Sequence, residues 1–423
     1  MFILYDLIFL LVSVFYLPIY FFRGKFHSGF LARLGFLPDN LDLDRPIWVH
    51  AVSVGEAIVV RGLIEELRKM YPGKRFVIST VTVTGNKIAR GIAREKDFVT
   101  YLPLDLSFIV RSVIDRINPE VFIIAETEIW PNLISYLARK HIPVITVNGR
   151  ISDSSFRGYL SVKFLIKPIL RRINIFCVQA ERDRQRAIRL GVDPDRIHVT
   201  GNMKFDAKDY AAMKKDYLEY RRGLGVESAE KILVAGSSHP GEEEVVLDAY
   251  QALRRDFPNL RLLIAPRHPE RAQEIGKIIE RYGFEPERIS QLSANIGKPL
   301  SKQAVFILDT IGELVSYYAI SDIVFVGGSL VNTGGHNILE PAAMGKPILF
   351  GPFMFNFRDI AELFLKNKAA IKVNGLKELK DNIADLLSHP DKALQLGLAA
   401  GGLIIKNQGA TVRNARLITS CLT

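Results

Sequence analysis

Cysteine is nearly absent from this chain of 423 residues, with only Cys177 and Cys421 present. Two thiols so far apart imply no disulfide framework, which points to a reducing compartment. They also give no Cys/His spacing of the zinc type. Acid is in deficit: 45 acidic residues face 56 basic ones, a net charge of +11. No nucleic-acid-binding signature accompanies that excess. Anionic lipid and phosphorylated substrates are therefore the partners it favours. Hydrophobic residues make up 48% and charged ones 24%, so there is ample core, and the length implies about two or three domains.

Charge is also missing locally. Residues 1–22, MFILYDLIFLLVSVFYLPIYFF, contain a single charge, Asp6, and Arg23, Lys25 and Arg33 follow. A membrane span needs about 20 apolar residues. The positive charges come after the run and aromatics end it, unlike a cleaved signal peptide. The segment reads as an uncleaved anchor, with the body of the protein in the cytoplasm by the positive-inside rule. A buried first helix, or one that only lies in the interface, fits the same composition. Residues 154–172, SSFRGYLSVKFLIKPILRR, have no acid at all. They suit a basic amphipathic helix on a membrane surface, or equally a helix packed on a sheet with snorkelling basic ends.

What is present is a long βα alternation. Strand patterns at 46–50, 75–79, 98–102, 120–125, 143–147, 175–178 and 197–200 alternate with helical stretches. The charged stretch 207–230 looks like a crossover. Alternation then restarts with strands at 231–235, 260–264, 305–308 and 322–326. Such alternation implies parallel sheets covered on both faces. Ligands then bind beyond the carboxyl ends of strands, and between two facing halves the cleft is the expected place.

Polar clusters sit just after these strands: His50–Glu56, Glu126–Asn132, Asn148–Arg150, Gly236–Gly241, Ala265–Arg271, Asp309–Glu313 and Gly327–Pro347. The last, GGSLVNTGGHNILEPAAMGKP, reads as a glycine loop opening a short helix from about Asn337 to Met344. That arrangement aims backbone N–H groups at an anion. Asn337 suits a cap, and Pro341 and Glu340 suit the first turn. The loop Gly236–Gly241 could cradle a phosphate in the same way. Arg267 and Arg271 could hold phosphate. Glu313 and Glu340 could accept from ribose hydroxyls. Glu56, at a helix start, could take a proton from a sugar hydroxyl, or could simply satisfy the helix dipole. His239 and His268, each before a proline, read as structural. No metal is indicated: Asp42-Leu-Asp44 and Asp193-Pro-Asp195 lie in a linker and a turn.

Together, His50-Ala-Val-Ser-Val-Gly-Glu56, Glu126-Thr-Glu-Ile-Trp-Pro-Asn132, Gly201-Asn-Met-Lys-Phe-Asp206, Pro266-Arg-His-Pro-Glu-Arg271 and Gly334-Gly-His-Asn-Ile-Leu-Glu340 resemble the bacterial Kdo transferases over nearly the whole chain. The resemblance implies an α/β chain of the GT-B fold, two facing Rossmann-like domains with an N-terminal membrane-anchor helix. The domains would be an anchor at 1–22, an acceptor-side domain at 23–206, a crossover at 207–230 and a donor-binding domain at 231–423. It implies inverting transfer of 3-deoxy-D-manno-octulosonic acid (Kdo) from CMP-Kdo to a lipid A precursor, a tetra-acylated disaccharide. The place would be the cytoplasmic face of the inner membrane, against anionic lipid, with no cofactor. Glu56 would be the general base, and Glu126 and Lys204 would stabilise the transition state. Pro266, Arg267, Ile311, Gly312, Glu313, Asn337, Ile338, Leu339 and Glu340 would bind CMP. Two alternatives remain: a GT-B lipid glycosyltransferase using a UDP-sugar, and a non-catalytic membrane-tethered nucleotide-binding protein.

Overall fold

The computed structural model describes residues 5–12, 29–39, 41–206, 217–292 and 301–422. The chain divides into two compact units, Met1–Lys208 with Asn407–Thr423, and Asp209–Lys406. Among the described residues each unit is built on one seven-stranded sheet.

In the first unit the strands are β1 (Ile47–His50), β2 (Phe76–Thr80), β3 (Phe98–Tyr101), β4 (Val121–Ala125), β5 (Val144–Gly149), β6 (Ile175–Val178) and β7 (Ile197–Val199). They lie in the order β3-β2-β1-β4-β5-β6-β7, with Ile47 opposite both Phe76 and Val121 in parallel register. β1, β2, β4 and β5 are buried along their whole length. That is why they read as unbroken apolar runs: a parallel sheet is covered on both faces. Each buried Val, Ile or Phe there contributes about 1.5–3 kcal/mol of transfer free energy.

The second unit contains β8 (Lys231–Ser238), β9 (Leu260–Pro266), β10 (Glu285–Arg288), β11 (Ala304–Ile307), β12 (Ile323–Val326), β13 (Ile348–Phe350) and β14 (Ile371–Lys372). Their order is β10-β11-β9-β8-β12-β13-β14. Strand β10, Glu-Pro-Glu-Arg, has no apolar pattern and sits at the sheet edge beside β11. Its backbone pairing, not its side chains, makes it a strand.

The sequence reading placed residues 231–423 in one domain, but the structure gives Asn407–Thr423 to the first unit. Helix Ala410–Thr419 buries Ala410, Ala415 and Ile418 in the core that includes Val59, Val60 and Leu63. Asp206 accepts from Gly409 N (2.8 Å) and Thr411 N (2.7 Å) at the helix start. Arg413 Nε donates to Thr200 O at 2.8 Å. Local pattern could not show this, because the partners lie more than 200 residues apart in sequence.

The expected anchor, 1–22, falls mostly outside the described residues. Residues 5–12 are helical, and among the described residues no helix is long and apolar enough to cross a membrane. Asp6, the lone charge of the segment, accepts from Ser107 N (3.2 Å), the Ser107 hydroxyl and Asn132 Nδ2 (2.7 Å). Phe9 packs against the core of the first unit. The carboxylate thus docks the helix on the protein, while Leu7, Ile8, Leu10 and Leu11 stay 46–64% exposed. Arg33, counted above as a flanking positive charge, is 9% exposed and donates to Leu102 O. Of the crossover, residues 207–216 lie outside the described residues; helix Tyr217–Gly223 follows, with Tyr220 edge-on to Tyr317.

The basic stretch 154–172 forms two helices, Asp153–Ser161 and Lys163–Leu170, which meet at Val162. Phe156, Ile166, Ile169 and Leu170 are buried, whereas Phe164 is 75% exposed. Phe156, Ile166, Ile169 and Leu170 join the core of the first unit, while Phe164 and Leu165 stay on the surface.

Candidate active site

Strand order in the first unit reverses between β1 and β4, the switch point at which such sheets bind ligands. Glu56 follows β1 and Glu126 follows β4. Glu56 lies in the first turn of helix Val54–Met70, whose cap Ser53 accepts from Glu56 N. In return the Glu56 carboxylate accepts from the Ser53 hydroxyl and from Val52 N, each at 2.8 Å. This reciprocal arrangement resembles a capping box. A capping carboxylate in water would keep an ordinary acidity. Here burial pushes Glu56 up to about 7, with Glu126 and Glu128 adding to the rise against the two hydrogen bonds.

β4 ends at Ala125, and Glu126 takes a left-handed φ of 57°. The carboxylates of Glu126 and Glu128 both raise Glu56. A non-glycine residue at positive φ costs about 1–3 kcal/mol and persists where the surroundings impose it. Lys204 Nζ stands 3.8 Å from Glu126 Oε1. Its turn, Met203–Asp206, is fixed by Asn148, whose Oδ1 accepts from Met203 N at 2.9 Å. The first unit thus brings Glu56, Glu126, Glu128 and Lys204 into one electrostatic group.

In the second unit the order reverses between β8 and β12. Pro266 ends β9 and Arg267 follows it, exposed. Ile311, Gly312 and Glu313 form the turn between β11 and helix Leu314–Ile320. Ile311 is 89% exposed, and Glu313 accepts from the Thr310 hydroxyl. Asn337 and Ile338 precede the helix Leu339–Ala343, which contains Glu340. Asn337 Oδ1 accepts from Leu339 N at 3.0 Å, although the cap position itself is Ile338, one residue later than expected. All these residues lie at carboxyl ends of strands.

The two glycine loops differ from expectation. The donors of the Gly327 loop already have a partner: Gly328 N (2.6 Å), Ser329 N (2.9 Å) and Leu330 N (2.8 Å) all donate to the buried carboxylate of Glu242. His239 N, in the Gly236–Gly241 loop, donates to the same carboxylate at 3.0 Å. Glu242 thus occupies the place an external anion would take. Arg271 is likewise engaged, with Glu243 at 2.7 Å and Glu274 at 2.9 Å. Sequence reasoning treated His239 and His268 as structural and gave His336 no role. The structure sets His239 Nε2 at 2.8 Å from His336 Nε2, with His268 edge-on to His239. Among the described residues no group of three or more His, Cys, Asp or Glu side chains is arranged to hold a metal.

Two seven-stranded parallel-sheet units with polar groups at their switch points define the class of the GT-B architecture. Two solved structures share the fold. One is a glycosyltransferase from Rickettsia africae ESF-5, 17% identical, with a TM-score of 0.56 over 89% of this chain and 98% of that one. The other is a UDP-N-acetylglucosamine 2-epimerase, 14% identical, with a TM-score of 0.58 over 88% and 95%. At such identity they speak for the fold alone. Residues 28–207 match the family described as 3-deoxy-D-manno-octulosonic-acid transferase, and residues 242–401 match glycosyl transferases group 1. The 3-deoxy-D-manno-octulosonic acid transferase of Haemophilus influenzae is 35% identical over 370 residues, covering 87% of this chain and 85% of that protein. The chain belongs to the Kdo transferase family.

Proposed function

We propose that the protein transfers Kdo from CMP-Kdo to a lipid A precursor, a tetra-acylated disaccharide, with inversion and with Glu56 as general base. The observation that carries this reading is a carboxyl at the β1–β4 switch point raised to about 7, matched to proton abstraction near neutral pH. Glu56 takes the proton of a primary glucosamine hydroxyl. The freed oxygen attacks the anomeric carbon of Kdo, and the bond from that carbon to the CMP phosphate breaks with its electron pair going to the phosphate. Positive charge grows on the sugar ring in the transition state, where the Glu126 carboxylate stabilises it. Lys204 balances the Kdo carboxylate or the departing phosphate. In the second unit, CMP lies against Pro266–Arg267, Ile311–Glu313 and Asn337–Glu340. Arg267 supports this role: its side chain is exposed, and a guanidinium presents a planar fork of donors that matches phosphate.

The reaction takes place at the cytoplasmic face of the inner membrane. The exposed Leu7, Ile8, Leu10 and Leu11 and the net charge of +11 support contact with anionic lipid. Purified full-length protein is to be given CMP-Kdo and the tetra-acylated disaccharide, with the product read by mass spectrometry. A gain of one Kdo, or a ladder of them, is expected. Folded, CMP-binding protein that yields no product would overturn the acceptor. Competition by UDP in place of CMP would overturn the donor.

A further inference from the structure

The donor of such a reaction carries a phosphate, and its sugar carries a carboxylate. In the second unit Glu242 already holds the N–H groups of Gly328, Ser329 and Leu330, so this loop does not offer them to those charges. Side chains at the switch point can supply positive charge instead. Two imidazoles stand at the strand-order reversal, His239 after β8 and His336 after β12. Their ring planes lie within 9° of each other, with centroids 5.1 Å apart. Their Nε2 atoms are 2.8 Å apart. At that distance a proton lies between the two nitrogens, one ring donating and the other accepting. Both rings are only partly buried, so a ligand can reach them.

In the neutral pair, the accepting ring keeps its other proton on Nδ1, and the donating ring has a bare Nδ1. One added proton at that bare nitrogen makes an imidazolium and leaves the shared bond intact. A second would place two N–H groups nose to nose. The pair is thus built to take up one proton and no more.

The groups around it set when this happens. Arg267 and His268 approach from the end of β9, and Arg271 stands beyond them, paired with Glu243 and Glu274. On the other side is Glu242, whose charge is spread over four backbone donors. Burial lowers His336 to about 4, and His239, Arg267 and His268 push it the same way. Burial also lowers His239, against the opposing pull of Glu242. The empty site is therefore neutral at the pair. An anion arriving beside Arg267 cancels that repulsion.

We propose that the His239–His336 pair is a proton-accepting element of the donor site, taking up a proton when the phosphate of CMP binds and releasing it when CMP leaves. This rests on the donor reading given above. Its test is isothermal titration of CMP into the full chain at pH 7.5, in two buffers of different ionisation enthalpy. A phosphomonoester is almost fully ionised there, so the ligand has no proton to contribute. The expected result is a buffer-dependent enthalpy that reports uptake of up to about one proton, together with CMP affinity that weakens as pH rises. The uptake should disappear in His336→Asn and in His239→Asn and persist in Glu56→Gln.

Binding with buffer-independent heat would overturn the proposal and leave the donor site standing. So would uptake that survives both histidine substitutions or vanishes in Glu56→Gln. Failure of CMP to bind the wild type at all would overturn the donor reading as well. If the variants do not fold, the imidazole 15N shifts of labelled wild type, with and without CMP, decide the question. Two pairs of neutral-ring shifts in the complex would refute it.

Discussion

Glu56 shows how one residue can satisfy a structural rule and a chemical one together. Glu56 is readable at a helix start, and the structure adds the cap, Ser53, to which Glu56 N donates. Its position beside two further carboxylates is what suits it to take a proton. Glu56→Gln keeps an acceptor for Val52 N and removes the base. It is expected to lower transfer by about 10²–10⁴-fold, with CMP binding nearly unchanged in a titration. Since the base must be ionised, kcat/KM is expected to rise with pH through about 7. Glu126→Gln removes a negative charge that raises Glu56, so this limb of the pH profile should move to lower pH in that variant. A limb that stays in place would separate the two carboxylates. The same burial makes a stability statement. The folded carboxyl lies above its ordinary value of 4.5, so the folded state holds the extra proton. That contribution is present in full below about 4.5 and is lost as the pH rises to about 7. Asp105, raised by burial from 3.8 to about 7, acts with the same sign. A smaller pH dependence of Tm is therefore expected for Glu56→Gln than for wild type.

At the level of elements, strand–loop–helix units carry the site, and the loops are held by buried internal groups. Glu242 opens helix Glu242–Leu253 and ties the β8 loop to the β12 loop. Removing it in Glu242→Ala leaves buried donors without a partner, each costing about 1–3 kcal/mol. A loss of at least about 3 kcal/mol in urea unfolding is expected. If the loss were negligible, the loops would be shaped by something other than this carboxylate. Gly236 is a second tie, because a Cβ there would lie 2.0 Å from the Tyr318 hydroxyl. Gly236→Ala must displace the buried Tyr318 and is expected to cost about 1–3 kcal/mol. Tyr318→Phe in the same background should recover part of it. From sequence, the glycine loops look like open anion cradles. The pattern cannot show that an acid in a neighbouring loop already fills them.

Across the whole molecule, the first sheet and the four central strands of the second were legible because buried parallel strands are short apolar runs, as in Val121–Ala125 and Ile323–Val326. The return of the last helix to the first unit was not. Ile418 is fully buried there, so Ile418→Ala is expected to cost about 2–5 kcal/mol. Hydrogen exchange should show the lost protection in β1 and helix Val54–Met70 and leave β8 and β9 unaffected. Loss in the second unit instead would contradict the division of the chain. The N-terminal segment was read from composition as a span, whereas Asp6 binds residues 5–12 to Ser107 and Asn132. Composition counts a lone carboxylate as a blemish in an apolar run and cannot see the donors that receive it.

The sequence by itself determined the fold class, the parallel sheets and the positions of the polar clusters after strands, because period and local turn chemistry are properties of neighbouring residues. It also carried the family, through motifs spread over the chain. Tertiary structure decided the rest. It set Glu126 and Glu128 near the same base, closed the glycine loops on Glu242, paired His239 with His336, and folded the C-terminal helix back onto the first unit. Each of these joins residues from different strand ends, and such contacts depend on strand order, which no local pattern records.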